Sequence, residues 1–185
     1  MAKYIETKLL DDTFGEKTYE KAEDFYVINN NNEIDFLGGN HLNKAQKFFF
    51  KKIIGLKRIN CNKLCFKMLP QTSTAIFKKE IVDSIGGYDI KQMYAEDGNF
   101  FMKVSANYNY FYDSDCVICY GNGKDGFGES GLSKNINEMH KGILKNLKEM
   151  KELNYIKFNI YIIALIYENI KYLRRKIIVK WKKRK

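Results

Sequence analysis

"STAIFKKEIVDSIGGYD", residues 73–89, followed five residues later by "AEDGNFFMKV", residues 95–104, is the stretch whose reading decides the fold. "STAIF" has the composition of a short strand, and "KKEIVDSI" predicts a helix over 78–85. "GGYD" is the stop, because Gly86 can adopt the positive φ that closes a helix. A second helix is predicted to start near Glu96, with Phe100, Phe101 and Val104 on its apolar side. Strand-rich "YNYFY" (108–112) and "CVICY" (116–120) come next. The order strand, helix, turn, helix, strand predicts an α/β layer structure.

Outward from that centre the pattern is weaker. Residues 3–12 have a faint helical period. "DFYVIN" (24–29) reads as a strand ending in the polar turn "NNNNE", with "IDFL" (34–37) as its hairpin partner. Between Leu42 and Lys57 apolar residues return among lysines at a spacing read as helical, broken by "LKRINCNK". Downstream, "GNGKDGFGESG" (121–131) packs five glycines into 11 residues, and a helix is predicted over 133–153. Asp113-Ser114-Asp115 is read as a β-turn between the two strand runs.

Of the 185 residues, 45% are hydrophobic, 15% aromatic and 29% charged, the mix of a folded domain rather than a disordered chain. The net charge of +10 is concentrated: residues 171–185 hold nine Lys and Arg and no acid, while the other 170 balance 23 cations against 22 acids. A nucleic-acid surface is therefore not expected of the body. The start, "MAKYIETKLL", does not read as a secretory signal, so a cytoplasmic location is expected. Cys61-x3-Cys65 and Cys116-x2-Cys119 approach zinc-site spacing, but "DCVICY" is apolar and the four are read as reduced thiols in a core.

Four pieces in order, "QTSTAIFKKEIVDSIGGYD", "AEDGNFFMKV", "YFYDSDCVICY" and "GKDGFGESGLS", resemble the C-terminal, acceptor-side half of family-2 glycosyltransferases of the GT-A fold. These enzymes move a sugar from a nucleotide sugar to an acceptor hydroxyl. The resemblance spans about residues 70–150 and implies an incomplete GT-A-like domain over 1–153, a mixed sheet flanked by helices. It also implies that Asp97 is the catalytic base and that Glu96 steadies it or the acceptor. Read from the residues alone, the two acids cap the helix; a helix N-terminus also keeps a carboxylate ionised, as a base requires. By the same resemblance Gly87, Tyr88 and Asp89 line the sugar or acceptor pocket, Thr72 and Ser73 approach the donor, and Lys124 meets diphosphate charge from a glycine-rich lid. The plainer readings are a helix cap, a core strand and an exposed loop.

The family also uses a nucleotide-binding half and an Asp-x-Asp segment holding Mg²⁺ or Mn²⁺. No Asp-x-Asp precedes the matched stretch, and Asp113-Ser114-Asp115 falls after the acidic pair. The expectation is thus a fragment, a split product or the partner of a separate donor-binding chain, acting on a glycan or lipid-linked acceptor in surface polysaccharide synthesis. Residues 154–185 are read as a C-terminal amphipathic basic helix. Its apolar run "FNIYIIALIY" is too short to span a bilayer, and the cations that follow point to an anionic membrane surface, the inner face. The rival reading is a non-catalytic basic-tailed module for a membrane surface or nucleic acid, with "YNYFY" as a stacking platform.

Overall fold

The structure, a computed structural model, describes residues 33–40, 46–48, 51–116 and 132–182. A four-stranded mixed sheet lies at its centre. Strand β1 (Phe36–Asn40) is buried along its length. It is followed by the two-residue strands β2 (Lys47–Phe48) and β3 (Lys51–Lys52), which pair only with each other, and by β4 (Lys57–Arg58). Helix α1 (Cys61–Leu64), a 3₁₀ turn (Thr72–Thr74), strand β5 (Ala75–Phe77) and helix α2 (Lys79–Ile85) come next. Then follow helix α3 (Glu96–Asn107), strand β6 (Tyr110–Cys116), a 3₁₀ turn (Leu132–Lys134), helix α4 (Ile136–Glu152) and helix α5 (Phe158–Lys182). The sheet order is β4-β6-β1-β5, with β1 parallel to β6 and antiparallel to β5, and β4 antiparallel to β6.

The two helices of the central stretch fold as their pattern predicts. Helix α2 ends where Gly86, at φ 78°, donates its N–H to the Val82 carbonyl. Helix α3 begins at Glu96 and buries Phe100, Phe101 and Val104. Those rings meet β1 through Phe36, which stacks on Tyr110 at 4.0 Å and takes Phe101 edge-on at 5.1 Å. The Tyr110 hydroxyl, also buried, donates to the Leu69 carbonyl. Aromatic pairs of this kind add about 0.5–1.5 kcal/mol beyond their buried area, so this cluster is the main tie between sheet and helix.

Three expectations are corrected. "STAIF" is a strand only from Ala75, because residues 72–74 turn as a 3₁₀ helix. Residues 42–57 do not form a helix where described. Ile53 donates its N–H to the Gln46 carbonyl across a short hairpin, and Gly55, at φ 63°, turns the chain toward β4. Asp113-Ser114-Asp115 is not a turn but part of β6, which runs on because both flanks supply partners. Asn40 Nδ2 donates to the Ser114 carbonyl and the Gly55 N–H to Ser114 Oγ, while β1 shifts register by a bulge. "IDFL" feeds β1, whose partners are β5 and β6; the proposed partner "DFYVIN" and the faint helix over 3–12 lie outside the described residues.

Cys61 and Cys65 are buried free thiols on and just after α1. Their mutual hydrogen bond and burial push the Cys65 thiol well up, so it stays protonated. Cys119 lies outside the described residues.

Helix α4 starts at Asn135, whose side chain accepts from the Glu138 N–H. It packs on α5, where His140 stacks on Tyr172 at 4.1 Å. On the inner face of α5, Glu168 is fully buried and held by Lys171 Nζ at 2.6 Å and Arg175 Nη2 at 3.0 Å. Among the described residues no helix is long and apolar enough to cross a membrane.

Candidate functional site

The site is built at the head of α3. Ala95, immediately before the helix, sits at φ 57° in the left-handed region, which costs a residue with a Cβ roughly 1–2 kcal/mol. What holds it there is a buried amide network. Asn146 Nδ2 on α4 donates to the Ala95 carbonyl at 2.7 Å, while Asn146 Oδ1 accepts from Gln92 Nε2 at 2.8 Å and Asn99 Nδ2 at 3.2 Å. Gly142, on the same face of α4, has no room for a Cβ: one would stand 2.3 Å from the Tyr94 carbonyl oxygen. The strained entry to α3 is thus clamped by α4.

Two hydrogen bonds fix the Asp97 carboxylate. Its Oδ1 accepts from the Gly98 N–H at 2.7 Å and its Oδ2 from Thr72 Oγ1 at 2.8 Å. The carboxylate therefore joins the first turn of α3 to the 3₁₀ turn before β5, and both its oxygens keep lone pairs for a further donor. Lys103 pairs with Glu149 at 2.7 Å and Lys145 with Asp89 at 3.1 Å. Asp97 also forms part of the wall of a cavity of about 550 Å³, within the range of about 300–1,000 Å³ usual for ligand clefts. Phe66, Met68, Ile143 and Leu147 supply its apolar side. Lys67 lines it too, as do Lys171 and Arg175 with the Glu168 carboxylate that pairs with both, and Tyr167 and Asn146 complete that flank.

The other residues singled out by sequence fall around this point. Thr72 touches Asp97 directly. Ser73 follows it, with a buried Oγ that has no hydrogen-bond partner among the described residues. Glu96 is half-buried beside Asp97. Tyr88 is 40% exposed and rests edge-on against Phe100 at 5.1 Å. Burial, then the charge of Asp97, then that of Glu96, push its phenol up, so it remains a neutral donor in the field of both carboxylates. Asp89 turns back on its own loop, accepting from the Lys91 N–H and pairing with Lys145, and these contacts hold its carboxyl below the usual range. Gly87 is exposed, and a Cβ there would meet only Val82 at 3.8 Å. Neither Tyr88 nor Asp89 lines the cavity. Lys124 and its glycine-rich loop lie outside the described residues.

Sequence reasoning missed Asn146, Gln92 and the three cations. The available signal was Asn146 itself, a polar residue one turn from Ile143 and Met150 on the face where α4 should be apolar.

Glu149 extends the same network, accepting from Asn99 Nδ2 at 2.7 Å and pairing with Lys103. Burial alone would raise its carboxyl, but the hydrogen bonds from Lys103 and Asn99 and the charge of Lys103 outweigh it and hold the group below its ordinary value. A carboxyl depressed by folding contributes stability that is complete above its unfolded value, near 4.5, and is lost as pH falls through the folded one. Glu149→Gln should therefore flatten the acid side of the stability curve. The check is the urea midpoint of both forms between neutral pH and about pH 3, where the gap seen at neutrality should close.

No protein-family model, curated protein or solved structure matches the chain. Among the described residues no three His, Cys, Asp or Glu side chains stand close enough to hold a metal ion. The Mg²⁺ or Mn²⁺ that the resemblance implies is assigned no ligand among the described residues.

Proposed function

We propose that this chain is the acceptor side of an inverting, family-2-like glycosyltransferase of GT-A type, in which Asp97 removes the proton from the acceptor hydroxyl. The acceptor oxygen, freed of that proton, bonds to the anomeric carbon of a nucleotide sugar. The carbon–oxygen bond to the diphosphate breaks on the opposite face, and the nucleoside diphosphate leaves with the electron pair. The anomeric configuration inverts, and the proton ends on Asp97. Donor and metal are held by a nucleotide-binding half, in further sequence or on a separate chain.

One observation carries this reading: Asp97 lines a ligand-sized cavity, and its carboxylate, held by Thr72 and the Gly98 N–H, still has lone pairs available. A carboxylate serving only as a helix cap has no need of a cavity beside it. Tyr88 stands outside that cavity but in the field of Asp97, and its neutral ring, edge-on against Phe100, offers an aromatic face and a hydroxyl to a saccharide that reaches the carboxylate from that side.

Saturation-transfer NMR of the chain against a panel of soluble mono- and disaccharides tests the binding half of the proposal. Saccharide protons should take up saturation from the protein's aromatic residues, and Tyr88→Ala should weaken the effect. If no saccharide is saturated at millimolar concentration, or if binding ignores both Tyr88→Ala and Asp97→Asn, the acceptor-side reading fails.

A further inference from the structure

Helix α5 carries a second surface that the transferase reading does not use. Phe158, Ile162, Ile166, Ile170, Leu173, Ile177 and Trp181 recur every three or four residues and share one face of a single 25-residue helix, about 38 Å long. All seven are between 37% and 70% exposed. The opposite face, with Ala164, Glu168 and Tyr172, packs inward. At about 100° per residue, Arg174 borders the apolar stripe on one side and Lys176 and Lys180 on the other. The only carboxylate within α5 is Glu168, buried and paired.

We propose that this face lies in the headgroup region of an anionic bilayer, with the helix flat on the surface. The charge pattern selects that partner. A second copy laid against the stripe would bring no free carboxylate of α5 to Arg174, Lys176 and Lys180, whereas anionic headgroups neutralise both borders at once. The helix lies on the membrane rather than through it, since it is not apolar enough to span. Trp181, the sole tryptophan, sits at the end of the stripe, a position suited to the interface. The inner face of α5 meanwhile lends Tyr167, Lys171 and Arg175 to the cavity, so the site holding Asp97 comes within roughly one helix diameter, on the order of 10 Å, of the headgroups. The proposal stands whether or not Asp97 is a base.

The test uses the full chain with vesicles of phosphatidylcholine alone and with about a third phosphatidylglycerol. Trp181 emission should shift to the blue, and the protein should sediment, only with the anionic vesicles. Ile166→Asp with Ile170→Asp, both exposed and so compatible with the fold by circular dichroism, should abolish both effects. Lys176→Gln with Lys180→Gln should weaken binding about 25-fold, roughly fivefold per cation. The proposal is overturned by any of three results: no shift with anionic vesicles, binding that survives the double aspartate variant, or a dimer in buffer that this variant splits. Binding to RNA without binding to vesicles would overturn it as well.

Discussion

On the proposed transferase reading, Asp97→Asn should leave the chain folded and lower sugar transfer by about 10²–10⁴-fold when the chain is assayed with a nucleotide-sugar-binding half, the range that general-base catalysis supplies. The substitution keeps the shape of the side chain. Its carbonyl oxygen still accepts from the Gly98 N–H, and the Thr72 hydroxyl can rotate to accept from the new amide instead of donating to the carboxylate. What disappears is the ability to take a proton. The acceptor KM should therefore change little while kcat collapses, and the urea midpoint should stay near that of the parent. Thr72→Val removes only the group that orients the base and should fall between the two in kcat. Transfer retained by the asparagine variant would take the base role from Asp97 and leave it as a tie between α3 and the 3₁₀ turn.

The largest stability effect is expected far from any carboxylate. Gly38 lies in the buried strand β1, and a Cβ built there would stand 2.2 Å from Pro70 Cγ, with two more ring carbons inside 3 Å. Neither side can yield easily, because β1 is paired on both edges and Pro70 is buried. Gly38→Val should cost about 3 kcal/mol, at the upper end for overpacking, which for a chain of this size lowers Tm by roughly 6–12 °C. Pro70 leads within two residues to Thr72, so the surviving folded fraction should also lose orientation at Asp97. Gly87→Ala is the control: its Cβ meets only ordinary van der Waals contact, and Tm should barely move. Equal effects at the two glycines would mean that β1 and Pro70 are not packed as described.

How much of this was readable beforehand follows from where each determinant lies along the chain. Helices α2 and α3 were legible because their signals are local: the apolar residues recur at helical spacing, and Gly86 supplies a positive φ at the end. The pairing of Asp97 with Thr72 was not, since 25 residues separate them and only the packing of α3 on β5 brings them together. Strand β6 was misread at Asp113-Ser114-Asp115 because turn-forming residues were weighed without the partners, Asn40 and Gly55, that hold Ser114 in the sheet. The helix expected between Leu42 and Lys57 fails for the opposite reason. Two-residue strands carry no period of their own, and the cationic edge strand β4 takes its conformation from β6. The apolar run of α5 was visible as a run, but only its packing against α4 shows which residues remain outside.

The most direct measurement is a crystal structure of the chain with a saccharide that binds in the NMR panel. Asp97 as base predicts a sugar hydroxyl oxygen within about 2.6–3.2 Å of one of its carboxylate oxygens, with the ring near Tyr88. A saccharide seated elsewhere, with Asp97 still bonded only to Thr72 and the Gly98 N–H, would contradict it.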